Sequence, residues 1–220
     1  MKDVVLVIPS LNPDEKIIRL IKELKNNNFE NIIVVNDGSN TDIYFKKLDC
    51  IILNHETNLG KGQALKTAFK YYLDNFNSYK GIVMLDSDYQ HSVKDVCKVA
   101  KLIKKNTLVL GVRDFNKKNV PFKSKFGNKI TSFVFNKKYG KYISDTQTGL
   151  RGISNDLIEK FVTLEGDRFE YEINMLKYSI KNNILIKEVK IDTIYIEKNK
   201  SSNFKVLKDS YKIYKEMLKK

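Results

Sequence analysis

Residues 82–91 read Ile-Val-Met-Leu-Asp-Ser-Asp-Tyr-Gln-His. The apolar run Ile82–Leu85 has the character of a buried parallel strand. It ends at two carboxylates one residue apart, Asp86 and Asp88. Ligands of open α/β sheets sit beyond the carboxyl ends of such strands. Two hard oxygen ligands there suit Mg²⁺ or Mn²⁺ shared with a diphosphate. Asp and Ser are also ordinary turn residues, so a solvated strand-to-loop turn stands beside that reading.

The flanking sequence supplies the rest of the sheet. Val4–Ile8, Asn31–Asn36, Cys50–Leu53, Gly81–Leu85 and Leu108–Val112 read as strands. Between them, Ile17 to Leu24, Gly62–Phe76 and Ser92–Lys105 carry helical spacing, and Asp42–Leu48 a short helix. Asn12-Pro13 reads as an N-cap followed by proline at the first helical position. Later segments predict a helix over 123–139, strands at Gly149–Ser154 and Ile184–Val189, and a helix at Tyr171–Lys181. The rhythm predicts an α/β fold with a mostly parallel central sheet and helices on both faces.

Composition narrows the function classes. The chain has 220 residues, 42% hydrophobic and 30% charged, enough for one domain with a real core. No apolar run of about 18 residues is present, so no membrane span is predicted. The N-terminus lacks a signal-peptide pattern, and Cys50 and Cys97 have no metal or redox motif around them; a cytosolic protein is expected. A net charge of +14 asks for an anionic partner. Most of that charge is lysine, and arginine occurs only at positions 19, 113, 151 and 168, which makes each one a candidate bidentate ligand for phosphate or carboxylate.

Several further motifs border the expected strand ends. Asp37, just past the second strand, could accept hydrogen bonds from a base or ribose, or could simply belong to a tight turn that needs Gly38. Asn58-Leu59-Gly60-Lys61-Gly62 precedes a helix, where glycines admit a close ligand and the helix N-terminus favours an anion. The spacing of a Walker P-loop is missing. Arg113, Asp145 and Arg151 are pocket candidates with equally available structural roles.

In order, the motifs are IPSLN (8–12), NDGS (36–39), NLGKG (58–62), DSDYQH (86–91), GVR (111–113), DTQTGLR (145–151) and FEYE (169–172). This set resembles glycosyltransferase family 2, with its GT-A type, Rossmann-like fold. It looks most like the branch of dolichyl- and polyprenyl-phosphate mannosyl- and glucosyltransferases. The resemblance covers roughly residues 3–200 and implies an inverting, metal-dependent hexosyltransferase using GDP-mannose or UDP-glucose. It implies that Pro9, Ser10, Asn12, Asp37, Gly38, Lys61, Asp86 and Ser87 bind the nucleotide sugar. Asp86, Asp88 and Gln90 would hold Mg²⁺ or Mn²⁺. Asp88, Asp145, Arg113 and Arg151 would be catalytic, the arginines gripping phosphates. Glu170, Glu172, Lys198 and Lys200 would border the acceptor. Ser87 stands where the branch often has Ala, and the late basic position is Lys rather than Arg.

The expected acceptor is a polyprenyl phosphate, whose ionised oxygen needs little base catalysis. A glycan or cell-wall polymer hydroxyl is the alternative, and Asp145 would then be the base. The expected organisation is one domain: residues 1–114 the nucleotide-sugar half, 115–200 the acceptor half, and 201–220 a basic amphipathic helix. In that last segment Phe204, Leu207, Tyr211, Tyr214 and Leu218 form an apolar stripe beside lysines. Such a helix suits an anionic membrane surface, or packing on its own domain. The expectation is therefore a cytoplasmic enzyme, peripheral at the inner membrane face, with room for a separate membrane-protein partner. A nucleotidyltransferase would need a Gly- and Arg-rich first loop, which is missing. A basic nucleic-acid-binding protein fits the charge but shows no recognised motif, so no nucleic acid is expected.

Overall fold

The computed structural model describes residues 1–115, 122–192 and Lys215. Seven strands form one sheet: β1 (Val4–Ser10), β2 (Ile32–Asp37), β3 (Ile51–His55), β4 (Gly81–Met84), β5 (Thr107–Arg113), β6 (Arg151–Ser154) and β7 (Leu185–Ile191). Their order is β3-β2-β1-β4-β6-β5-β7. All pairs are parallel except those of β6, which runs antiparallel to both β4 and β5. The expected GT-A type, mostly parallel α/β sheet is therefore the one observed.

The sheet is buried on both faces because its central strands are apolar at consecutive positions. In β1, Val5 and Val7 face one cluster; Val4, Leu6 and Ile8 face the other. Helix α2 (Lys61–Asn75) covers the first face through Ala64, Leu65, Ala68, Phe69 and Tyr72. Helices α1 (Lys16–Asn26) and α3 (Val93–Leu102) cover the second, α1 through Ile17, Leu20, Ile21 and Leu24. The second half of the chain adds α4 (Phe122–Tyr139), α5 (Asn155–Val162) and α6 (Glu170–Lys181). Tyr171, Met175 and Leu176 of α6 and Ile158 and Phe161 of α5 join the α2 face.

Two arrangements position the site. The chain goes from β1 outward to β2 and β3, then returns to place β4 on the other side of β1. That reversal opens a crevice at the carboxyl ends of β1 and β4. Strand β6 then enters the sheet backwards, with Arg151 opposite both Met84 and Leu110. Its leading loop, residues 145–150, thus lies at the same edge as Asp86.

The differences from expectation are local. Helix α1 begins at Lys16, after Asp14, whose carboxylate accepts from the Lys16 N–H. Asn12 is not its cap: in the left-handed region at φ 48, it accepts from the Asn40 N–H and ties the β1 and β2 loops together. The short segment before β3 closes only one 3₁₀ turn, Phe45–Lys47. Helix α5 was hidden because its eight residues are too few to display a period next to a strand. Lys198, Lys200 and the expected helix 201–220, Lys215 apart, lie outside the described residues.

Ser92 caps α3 by accepting from the Asp95 N–H. Replacing Ser92 with Ala is expected to cost about 1 kcal/mol. Thermal unfolding should then show a midpoint roughly 2–4 °C lower.

Candidate active site

At the crevice, Asp86, Ser87 and Asp88 leave the end of β4 and meet the N-terminus of α2. The cleft there has a volume of about 150 Å³ and is also lined by Pro9, Ser10, Asp37 and Lys61. Seven residues expected to bind the donor or the metal thus converge on one cleft. Ser10 contributes a buried hydroxyl with no protein partner. Asn12 and Gly38, in the loops after β1 and β2, are not among the cleft-lining residues; Asn12 donates its N–H to Ser39 Oγ, and Gly38 packs against the Thr57–Asn58 backbone.

Lys61 is the centre of the electrostatics. Its Nζ lies 2.7 Å from Asp86 Oδ1 and 3.1 Å from either oxygen of Glu172. Burial alone would lower this ammonium, but Asp86 and Glu172 hold it above the ordinary lysine value. Burial alone would likewise raise Asp86; Lys61 and His91 instead hold it far below the usual carboxylate range. Asp88 behaves in the opposite way. Burial, and then the charge of Asp86, push its carboxyl up. The two carboxylates thus differ because only Asp86 has Lys61 in direct contact to offset burial.

That uneven pair fits a divalent cation. It offers hard oxygens at the cleft mouth, and one carboxyl holds its proton more tightly because it is buried and a like charge stands beside it. Among the described residues no group of three His, Cys, Asp or Glu could cage an ion. The remaining ligands would have to come from substrate or water, as is usual for Mg²⁺. Gln90 donates its N–H to Asp88 Oδ1 and lines a second, small cavity of about 40 Å³ with Asp86, His91 and Arg113.

Several residues expected to face ligand are instead engaged by the protein. Asp37 accepts from His55 Nδ1 at 2.7 Å, from the Leu59 N–H at 3.0 Å and from the Gly60 N–H at 2.9 Å. Its carboxylate therefore holds the turn ahead of α2, where a base or ribose contact was expected. Arg151 is fully buried and donates to the carbonyls of Thr148, Glu172 and Thr146. It is a strut between the β6 loop and α6 and cannot grip a phosphate. Arg113 forms a bidentate pair with Asp145 at 2.7 and 3.0 Å. Asp145 is fully buried and also accepts from the Gln147 N–H. A carboxylate so shielded and paired is poorly placed to take a proton, so the base role expected of it for a hydroxyl acceptor is corrected on geometry.

The acceptor-side glutamates divide. Glu172 faces Lys61, while Glu170 Oε1 accepts from the N–H groups of Asp167 and Arg168 at the start of α6. Sequence reasoning marked Arg168 as a candidate ligand without placing it in this cleft, and gave Phe169 no role there. Gly60 explains how they arrive. It has φ 103, and a Cβ there would lie 2.5 Å from Asp167 O and 2.6 Å from Arg168 Cγ. The glycine admits the 166–168 loop, where a ligand's approach was expected. Gly149 does the same for Asp86, whose Oδ2 would lie 2.0 Å from an added Cβ. Arginine scarcity was the available signal for Arg168. His91, buried with Nδ1 unpartnered and Nε2 3.8 Å from Asp86, carried none.

Residues 5–162 match the family described as glycosyl transferase family 2. An uncharacterized protein of Methanocaldococcus jannaschii is 33% identical over 226 residues, covering 99% of this chain and 92% of that protein. The UDP-N-acetylglucosamine–dolichyl-phosphate N-acetylglucosaminyltransferase of Methanococcus voltae is 32% identical over 225 residues, covering 89% of this chain and 87% of that protein. Glucosyl-3-phosphoglycerate synthase from Mycobacterium tuberculosis, solved with Mn²⁺, UDP-glucose and phosphoglyceric acid, superposes with a TM-score of 0.71 at 16% identity. The match covers 99% of this chain and 79% of that one.

The expected partners are corrected here. A polyprenyl phosphate, an anionic membrane and a membrane protein were expected. The fold neighbour instead holds its nucleotide sugar beside phosphoglyceric acid, a small acceptor. In the site, Arg113 and Arg151, expected to grip phosphates, are engaged by Asp145 and by backbone carbonyls. Among the described residues no helix is long and apolar enough to cross a membrane.

Two outcomes follow. Asp88 has a raised folded-state pKa, so the fold binds more protons than the unfolded chain above about pH 4, and stability falls as pH rises through that window. Asp88→Asn removes this penalty. The ligand-free variant should melt a few degrees above wild type at pH 7, the gap closing toward pH 4. Asp145→Ala leaves the Arg113 charge without its partner and should lower the melting temperature by roughly 10 °C. Asp145→Asn should retain more stability, and a Tm series at fixed pH compares the three chains.

Proposed function

The chain belongs to glycosyltransferase family 2, and within that family we propose that it moves a sugar from a uridine diphosphate sugar to a hydroxyl of a small or glycan acceptor, with a divalent metal at Asp86 and Asp88. The observation that carries this reading is the uneven carboxylate pair at the mouth of the cleft, with Lys61 on one member only. The uridine donor is supported by two independent likenesses. The Methanococcus voltae relative names UDP-N-acetylglucosamine and the Mycobacterium tuberculosis neighbour is solved with UDP-glucose. Mn²⁺ in that neighbour supports the metal.

The residues divide the work by position. Pro9, Ser10 and Ser87 form the wall against the nucleoside, and Ser10 offers a hydrogen bond that no protein group takes. Asp37 holds the 58–60 turn and so fixes the start of α2, from which Lys61 reaches into the cleft. Arg168 adds positive charge on the cleft's other lip. The divalent metal supplies neutralisation of the charge that develops on the leaving diphosphate. In the transfer, the bond from the anomeric carbon to the diphosphate oxygen breaks and UDP leaves with the pair. The acceptor oxygen bonds to that carbon from the opposite face, giving inversion, and its proton passes to solvent water at the cleft, since Asp145 is held by Arg113.

The test incubates the full chain with Mn²⁺ or Mg²⁺, UDP-glucose, UDP-N-acetylglucosamine or GDP-mannose, and a panel of phosphorylated hydroxy acids and oligosaccharides. Nucleotide release is followed. Transfer from a uridine donor, stopped by chelator and lowered at least ~100-fold by Asp88→Ala, is expected. Transfer that survives chelation, or that uses GDP-mannose alone, would refute this assignment.

A further inference from the structure

Tyr89, between Asp88 and Gln90, stands in the left-handed region at φ 64. Gly and Asn enter that region readily; a bulky aromatic residue does so only when its surroundings hold it there. The surroundings are identifiable. The Tyr89 hydroxyl donates to Glu23 Oε1, and the Arg19 guanidinium carbon lies 6.0 Å from the ring centroid. Arg19 and Glu23 are one turn apart on α1. That helix is itself fastened to the sheet by Ile17, Leu20, Ile21 and Leu24, all buried. Burial and the neighbouring Glu23 raise the phenol's pKa, so the hydroxyl keeps its proton and remains a donor.

We propose that Tyr89 is a positioning residue for the metal-binding loop: its bond to Glu23 clamps residues 88–90 to α1 and maintains the left-handed turn that sets Asp88 and Gln90 relative to Asp86. The clamp acts on the ligands through the backbone. Tyr89 itself stands between two expected ligands, and its side chain is committed to α1. The turn it maintains is also the one in which the Gln90 N–H reaches Asp88 Oδ1, at 3.2 Å. With the clamp released, the backbone is free to leave the left-handed region, and Asp88 and Gln90 lose their shared geometry. This inference rests on the reading that Asp86, Asp88 and Gln90 hold a divalent cation.

The experiment measures Mn²⁺ binding to the full chain in the presence of UDP, by the electron paramagnetic resonance signal of free Mn²⁺, alongside melting temperature. Tyr89→Phe should weaken Mn²⁺ binding roughly three- to tenfold, the worth of one hydrogen bond. Glu23→Leu should do the same. Glu23→Gln keeps an accepting oxygen and should remain within about twofold of wild type. The double variant Tyr89→Phe/Glu23→Leu should be no weaker than either single one, because both remove the same bond. Wild-type Mn²⁺ affinity in Tyr89→Phe and Glu23→Leu, whatever their melting temperatures, would overturn the clamp. If Tyr89→Phe does not fold, the Glu23 pair carries the same comparison from the flank of α1. Asp88→Ala separates the two levels. If it loses Mn²⁺ while the clamp variants do not, only the clamp is wrong. If it binds like wild type, the metal reading fails and the clamp falls with it.

Discussion

One ammonium group holds the site together. Lys61, first residue of α2, reaches Asp86 at the end of β4 and Glu172 in the first turn of α6. Three elements distant in sequence therefore meet on a single charge. A cation this buried is tolerable only with its counter-charges in contact, and the carboxylates have the same need of it. Glu172 also has Arg151 4.0 Å away, so opposite charges alternate from the cleft mouth to the start of β6. Asp88 has no contact with Lys61, and burial and the charge of Asp86 push its carboxyl up. The place where a cation would be most favourable follows from where the lysine is already spent.

The arginines show how scarcity is resolved by position. Arg151 and Arg113 are structural, one satisfied by carbonyls and the other by Asp145. Arg19 lies over the ring of Tyr89, beside the turn at residues 88–90. Arg168 lines the cleft. A guanidinium gives five donors in a rigid fork, which suits a buried strut as well as it suits a phosphate. Residue type alone does not distinguish those uses; the acceptors within reach do.

Glycine has a comparable double meaning. The NLGKG segment satisfies the chemical logic of an anion-binding turn, and it does precede a helix N-terminus. Yet Gly60 is required because the 166–168 loop lies against it. That contact brings Arg168 and Phe169 to the cleft from more than a hundred residues away. A side chain at either Gly60 or Gly149 would force backbone or the Asp86 carboxylate to move.

The sequence by itself determined the alternation of strands and helices, the two-sided burial of the sheet and the location of Asp86, Asp88 and Lys61. These depend on apolar periodicity and on short-range order along the chain, which are written into neighbouring residues. Even the ordered motif set that marks family 2 is a one-dimensional property. Tertiary structure alone decided which charged groups remain available to a ligand. Asp145 and Arg113 lie 32 positions apart, and Asp37 meets the Leu59 and Gly60 amides from 22 and 23 positions away. The antiparallel entry of β6, which puts residues 145–150 beside Asp86, arises from sheet pairing and has no local signature. Burial and pairing are sums over neighbours in space, so the roles of these carboxylates and guanidiniums became readable only once the chain had closed around them.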